Sequence, residues 1–315
     1  MEKMEVKILD KEQITLNNFS KLKFNKITPV LRGGSKDKKY AVESNNGERF
    51  FVRIADIVKY HRFSISYFIM LKAAEIGVPV KQPIEFWSND DNVYFLTGWI
   101  DGENLNEVLK LHSESDQFQL GVKAANHLKK IHTIPVAPEH CLYFEWNKAY
   151  SNTIEKFTKG YRKYGPKIVG IESFLTFMDE HKYLLETRPI SYLHGDFTEY
   201  NMMLESNGEL VIVDFDGAFQ VGDPWYDFYR LASSEKVTNF ASGLVYGYFD
   251  GDPPEHFWLL LAFYKTLDAI RLVTISRNND LKLRRRLTQI EYLADWINNI
   301  EDNITPTWYK VCIET

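Results

Sequence analysis

The segment His194-Gly195-Asp196-Phe197-Thr198-Glu199-Tyr200-Asn201, followed by Asp214-Phe215-Asp216, constrains this chain more than any other feature. Between the two acidic groups, Met202 to Val213 reads as a hairpin folded around Asn207-Gly208, a pair that tolerates positive φ in a two-residue turn. Pairing Ser206 with Glu209 predicts Met202 opposite Val213 and Asn201 opposite Asp214. Directly opposed residues have Cβ atoms only ~4.5–5.5 Å apart. An amide oxygen from Asn201 and a carboxylate from Asp214 would then meet at a point suited to a hard cation such as Mg2+. Asp196, five residues ahead of Asn201, is left to face a reacting hydroxyl.

Phosphoryl transfer needs such a set. Its transition state spreads charge over phosphoryl oxygens, so positioning and charge neutralisation do most of the catalytic work. An ionised Asp can align a nucleophilic hydroxyl and take its proton, which is the role expected of Asp196. For any one of these residues, capping a backbone turn or closing a strand-end salt bridge is the ordinary use. Four polar positions at this spacing, flanked by the apolar runs 190–193 and 210–213, argue for a joint role.

The pattern follows the kinase catalytic loop His-x-Asp-x-x-x-x-Asn, with Gly195 where protein kinases carry Arg and Asp214-Phe215-Asp216 where they carry Asp-Phe-Gly. With Leu193-His194-Gly195-Asp196, Ile212-Val213-Asp214-Phe215-Asp216-Gly217-Ala218 and Gly222-Asp223-Pro224-Trp225-Tyr226-Asp227-Phe228, the chain resembles the aminoglycoside phosphotransferase family, itself similar to choline kinases and macrolide kinases. The strongest matches span about 190–230. Weaker ones reach back to about residue 30, and beyond about 235 the likeness lies only in being helical.

This resemblance implies an α+β, bilobal protein-kinase-like fold with a small β-rich amino lobe (1–98), a hinge (99–103) and a larger, mostly helical carboxyl lobe (104–315). It implies transfer of the γ-phosphate of ATP or GTP to a small-molecule hydroxyl, with Mg2+ held by Asn201 and Asp214. An aminoglycoside is the first acceptor expected; choline, homoserine, a macrolide or a sugar are the alternatives. Asp223 and Asp227 would brace the catalytic loop, although Asp223 ahead of Pro224 also reads as a helix cap.

In the amino lobe, Tyr40 to Ser44 and Arg49 to Ile54 read as a hairpin about the turn 45–48. The preceding Gly33-Gly34-Ser35 could set backbone N–H groups against phosphates, or could simply turn the chain. Arg53 occupies the place of the phosphate-pairing strand lysine of protein kinases, and its planar fork suits phosphate oxygens. The helix expected over 58–76 offers no acid at the place where kinases pair that lysine, so Asp56 or Glu75 substitutes or the clamp is missing. By resemblance, backbone groups near Trp99 and Ile100 pair with the nucleobase edge, while packing between lobes is the other use for Trp99.

Helices are expected over 116–132, with Asp116 as N-cap, and over 151–164, 171–186, 225–231, 254–276 and 281–300. His132, at a negative helix end, reads as structural. Glu199, Glu235, Asp268, Glu291 and Asp295 are the candidate acids for an acceptor pocket, which would suit an amino sugar. Each of them alone is more often a solvated residue.

Composition excludes several other classes. A net charge of −5 is mild and compatible with a cationic substrate, and the cluster Lys282–Arg286 reads as a solvated helix face, so no nucleic-acid partner is indicated. Cys141 and Cys312 lack metal-ligand spacing, and the amino terminus lacks the apolar run of a signal peptide, which points to the cytoplasm. The most apolar stretch, 257–275, contains Lys265, Asp268 and Arg271 and is not expected to enter a membrane. A non-catalytic nucleotide-binding scaffold is the competing reading. A metal-dependent phosphoesterase would want more His and Asp ligands than this region holds.

Overall fold

The computed structural model describes residues 15–18, 20–31, 35–141, 144–168, 170–217, 219–232 and 238–311. Its contacts divide the chain into two compact units, 1–103 with 202–216, and 104–201 with 217–315. The segment 202–216, expected in the carboxyl lobe, thus clusters with the first unit.

The first unit is built on an antiparallel sheet of strands β1 (Phe24–Pro29), β2 (Lys38–Ser44), β3 (Arg49–Asp56), β4 (Pro83–Ser88) and β5 (Asn92–Gly98), in the order β1-β2-β3-β5-β4. Alternation along β3 sorts its side chains. Val52 and Ile54 enter an apolar cluster with Tyr40, Val42, Tyr94 and Leu96, whereas Phe51 and Arg53 project to the other face. On that face the guanidinium of Arg53 lies 4.9 Å from the ring centroid of Phe63, a residue of helix α1 (Tyr60–Glu75). β3 is central in the sheet, with Arg53 opposite Lys39 on β2 and Phe95 on β5.

A three-stranded sheet, β6 (Gly102–Asn104), β8 (Met202–Glu205) and β9 (Leu210–Ile212), also contributes to this unit. The β8–β9 register pairs Met202 with Ile212, Met203 with Val211 and Leu204 with Leu210. The expected hairpin therefore exists, but its register is shifted by one residue. Three residues rather than two form the loop: Glu205 N–H donates to Glu209 O (3.0 Å), Gly208 N–H donates to Glu205 O (2.9 Å), and Gly208 sits at φ +80°. That is the three-residue hairpin with a left-handed glycine. The pairing expected to set Asn201 opposite Asp214 is not the one formed.

The second unit is helical, with α2 (Glu114–His132), α3 (Trp146–Tyr164), α4 (Ile171–His181), α5 (Thr238–Phe249), α6 (Glu255–Ser276) and α7 (Asp280–Asn298) and a short ribbon of β7 (Ser191–Tyr192) with β10 (Val221–Gly222). Ser113, not Asp116, caps α2, accepting from Asp116 N–H at 3.1 Å. α3 begins five residues earlier than expected, and 224–228 forms a short 3-10 turn in place of a longer helix. None of the helices among the described residues is long and apolar enough to cross a membrane.

α2 and α5 cross through glycines. A Cβ on Gly121 would fall on the Phe240 carbonyl, and one on Gly243 on the Phe118 carbonyl, deep inside van der Waals contact. Backbone meets backbone here, so a methyl group has no flexible neighbour to displace. Gly160 in α3 has nothing within 4 Å of its would-be Cβ. Gly121→Ala is expected to destabilise the protein by about 2–3 kcal/mol in urea titration, and Gly160→Ala to stabilise it by about 0.5–1 kcal/mol.

Candidate active site

In the second unit, Leu193 N–H donates to Gln220 O at 2.9 Å, ending the ribbon, and the chain then turns sharply through His194 and Gly195. Gly195 adopts φ +77°, and a Cβ there would collide with Phe219 O and with the main chain of Gly217. Glycine is therefore required at this crossing on two counts, conformation and space. This accounts for Gly195 where protein kinases place Arg.

The turn is held by Asp227, whose Oδ2 accepts from His194 N–H (2.9 Å) and whose Oδ1 accepts from Gly195 N–H (2.6 Å). Asp227 is 1 % exposed, and His132 Nε2 lies 3.0 Å from its Oδ2 while His132 Nδ1 lies 2.8 Å from the Tyr248 hydroxyl. Asp223, fully buried, accepts from Arg188 Nε (2.7 Å), Arg188 Nη2 (2.9 Å), the Tyr264 hydroxyl (2.6 Å) and Trp225 N–H (3.0 Å). It is thus both helix cap and brace. Burying two carboxylates at this depth is tolerable only with such complete hydrogen bonding.

Asp196 is pinned by its main chain from both sides. Its N–H donates to His194 Nδ1 (3.3 Å), and its carbonyl accepts from Asn201 Nδ2 (2.8 Å). Phe197, 1 % exposed, anchors the next position by packing edge-on to the His194 ring. Only the Asp196 side chain is left to act, and its Oδ1 lies 2.6 Å from Arg230 Nη1.

In the first unit, Arg53 gathers three carboxylates. Nη1 donates to Asp214 Oδ1 (2.7 Å), Nη2 to Asp216 Oδ2 (2.5 Å), and Nε to Asp37 Oδ2 (2.9 Å). Lys59 also meets Asp37, at 2.5 Å. The acid that serves Arg53 is therefore Asp37, ahead of β2, and neither Asp56 nor Glu75. Asp56 caps the turn that follows β3 by accepting from Val58 N–H (2.9 Å), and Glu75 pairs with Lys72 (2.7 Å). Burial works against charge on Arg53, but Asp216, Asp214 and Asp37 outweigh it and raise its pKa. Burial, followed by the neighbouring Asp214, pushes Asp216 up to about 6. Asp214 sits at φ +64°, a strained value for a non-glycine residue. In place of a helix acid, α1 offers Ser66, whose hydroxyl donates to Phe215 O at 2.7 Å.

Lys81 completes this face. Its Nζ lies 3.3 Å from the Phe51 ring centroid, a cation–π contact. Burial of the ammonium is the chief reason its pKa falls to about 7, with Asp214 opposing and Arg53 and Lys39 reinforcing the drop. Of the remaining first-unit expectations, Ser35 is exposed and Gly34 lies outside the described residues. Trp99 and Ile100 follow β5, and the Trp99 ring is latched by Arg49 stacking at 5.0 Å and by Asp101 accepting from its Nε1 at 3.2 Å.

A cavity of about 410 Å³ opens beside Asp196 in the second unit. Of the acids expected to line an acceptor pocket, it contains Asp268, held by Arg271. Glu199 is instead buried, 5 % exposed, with burial raising its pKa, and it does not line the cavity. Glu291 and Asp295 are exposed on α7, whose cavity-facing positions are Arg286, Gln289, Tyr292, Leu293 and Trp296. The i, i+4 spacing does put Glu291 and Asp295 on one face, but it is the solvent face. Glu235 lies outside the described residues. Arg286, expected to be solvated with its cluster, turns inward to the cavity.

The model of the phosphotransferase enzyme family (APH) matches residues 26–258, from β1 into α6 and across both acidic motifs. The chain belongs to this family. Solved structures similar to it include a point mutant of aminoglycoside 2′-phosphotransferase-IIIa in complex with GDP, at 16 % identity and a TM-score of 0.67, with 94 % of this chain and 99 % of that one covered. The streptomycin-ATP-APH(2″)-IIa ternary complex aligns at 17 % identity and a TM-score of 0.63 over 91 % and 97 %. Amicoumacin kinase hAmiN, in complex with AMP-PNP, Ca2+ and Ami, aligns at 17 % identity and a TM-score of 0.59 over 96 % and 97 %. No curated protein matches the chain. The α+β, kinase-like APH fold expected from the motifs is the fold observed.

Three groups in this phosphotransferase escaped sequence reasoning: Asp37, Arg230 and Lys81. Arg230 had a faint signal, as the one cation in the aromatic run after Asp227. Asp37 and Lys81 had none, because tertiary packing alone brings them to Arg53 and Phe51. Gly195→Ala is expected to cost about 1–3 kcal/mol of stability in chemical denaturation, from positive φ and collision together. Lys81→Met tests the buried ammonium. With a folded pKa of about 7 against an ordinary 10.5, the unfolded chain holds a proton between those pH values that the folded chain has shed. Wild-type stability therefore rises with pH across that window and is lost as pH falls through 7. The Met variant should have the higher Tm at pH 6, with its advantage shrinking toward pH 10. An advantage of constant size in calorimetry would contradict this.

Proposed function

We propose that this phosphotransferase moves the γ-phosphate of ATP or GTP to a hydroxyl of a small molecule, with Asp196 as the residue that receives the hydroxyl. One observation supports this most: the Asp196 main chain is fixed at both N–H and C=O while its carboxylate lines a cavity. Preorganisation of that kind is what an in-line displacement requires, since misplacement by ~1 Å costs ~10²-fold.

With Oδ1 engaged by Arg230, the other carboxylate oxygen accepts the acceptor's O–H and takes its proton as the new O–P bond forms and the bond to the departing nucleoside diphosphate breaks. Arg53, beside the strained Asp214, supplies a planar donor set for phosphate oxygens. The proposed base contacts are the backbone of Trp99 and Ile100, and the proposed phosphate contacts include Gly34 and Ser35.

The donor chemistry fits a divalent cation. Asp214 and Asp216 are paired carboxylates whose charge the single cation Arg53 offsets only in part. The Asn201 amide, donating through Nδ2 to Asp196 O, has its oxygen for a ligand. Asn201 and Asp214 are the proposed Mg2+ ligands, and Mg2+ when bound would neutralise charge on the transferring phosphate. The cytoplasm, which holds the nucleoside triphosphate, is the proposed compartment. Streptomycin and amicoumacin, named in the related complexes, are among the first acceptors to assay, with other aminoglycosides, choline, homoserine and macrolides.

Coupled nucleoside-diphosphate release over that panel tests the reading. Turnover with at least one acceptor is expected, falling about 10²–10⁴-fold in Asp196→Asn with nucleotide binding retained. Nucleotide binding without turnover on any acceptor would favour the non-catalytic scaffold.

A further inference from the structure

The described residues of the cavity beside Asp196 do not carry the charge that a polyamine would need. Among the described residues its lining contains two carboxylates, Asp196 and Asp268, and both are already ion-paired, to Arg230 at 2.6 Å and to Arg271 at 2.5 Å. Lys265 and Arg286 line the same cavity with no ion pair among the described residues. Lys265 donates to the Leu231 carbonyl, and Arg286 Nη1 donates to Gln289 Oε1 at 2.9 Å. Among the described residues, three cations, Arg230, Lys265 and Arg286, thus line the cavity with two acids, and Arg271 pairs with Asp268 from outside the lining.

Burial acts on both Lys265 and Arg286, and neighbouring charge adds to it at Arg286. Burial is the first cause that lowers the Arg286 pKa, and Arg230, Arg271 and Arg285 lower it further against the opposing pull of Asp268. Burial likewise brings Lys265 down to about 8, so that at neutral pH it is still mostly protonated. An entering ammonium would meet uncompensated cations, while an entering carboxylate would satisfy them. Apart from Thr198 and Gln289, the rest of the described wall is aromatic and apolar, with Tyr229, Tyr292, Trp296, Trp308, Leu272 and Leu293 among its large side chains. Such walls favour a flat apolar body with few hydrogen bonds of its own.

We propose that this cavity takes an alcohol with an aromatic or similarly flat apolar body that carries a carboxylate, seated against Arg286 and Lys265 with its hydroxyl toward Asp196. The inference rests on the reading of Asp196 as the group that receives the acceptor hydroxyl, and it replaces the polycationic acceptor with an anionic one.

The test is binding, measured by calorimetry or ligand-observed NMR on the full chain without nucleotide. The probes are 2-(4-carboxyphenyl)ethanol, its cationic counterpart 2-(4-aminomethylphenyl)ethanol, and gentamicin. The carboxylate should bind at least ~10-fold more tightly than the amine, a difference of about one decade in Kd. Arg286→Gln should erase most of that preference and Arg286→Glu should reverse it. Arg286 lies on the half-exposed face of α7, so both variants are expected to fold, with circular dichroism as the check. Equal or tighter binding of the amine or of gentamicin, failure of the carboxylate to bind, or an unchanged preference in Arg286→Glu would each overturn the proposal. The two readings fail separately. Turnover on a cationic acceptor alone would sink the anionic pocket and leave the kinase standing, whereas a carboxylate preference without nucleotide turnover on any alcohol would do the reverse.

Discussion

The second unit depends on one buried carboxylate. Asp227 takes the amides of His194 and Gly195 on its two oxygens and is itself met by His132. Those amides belong to a turn that no strand or helix could satisfy, because Gly195 has left the extended region and crosses Gly217 at backbone contact. Without Asp227 two buried N–H groups would go unpaired, each at a cost of about 1–3 kcal/mol. The fixed position of Asp196, one residue on, follows from that arrangement. Asp223, Arg188 and Tyr264 repeat the device a layer deeper, tying the segment before β7 to α6.

The first unit solves a different problem, that of a cation in a sheet interior. Arg53 lies on the central strand, 9 % exposed, where an isolated charge would be prohibitive. Three carboxylates drawn from before β2 and after β9 surround it, and Phe63 covers its flat face. The arrangement concentrates negative charge around Asp214, and the guanidinium holds that charge in place. Asp37 meets Arg53 from ahead of β2, while α1 presents Ser66 to the Phe215 carbonyl.

Legibility followed locality. The loop from His194 to Asn201, the Asp-Phe-Asp motif, the β2–β3 hairpin and the long amphipathic helices are short-range patterns, and the sequence displays them. The β8–β9 register was misread because Asn-Gly admits both a two-residue turn and a three-residue loop with glycine in the left-handed region, and the flanking residues are apolar in either frame. α5 was missed because Gly243 and Gly247, poor helix formers, occupy the positions where it crosses α2. The acids on α7 were assigned to the wrong side because spacing shows which residues share a face but not which face meets the cavity. Asp37 reaches Arg53, and Arg230 reaches Asp196, only through long-range packing.

The crossing of α2 and α5 at Gly121 and Gly243 has a further consequence. Most helix contacts are cushioned by side chains that can change rotamer when a neighbour grows or shrinks. At Gly121 and Gly243 there is no such cushion. Tolerance to amino-acid replacement at these two positions is that of the peptide backbone, so variation in the two helices must be accommodated around them.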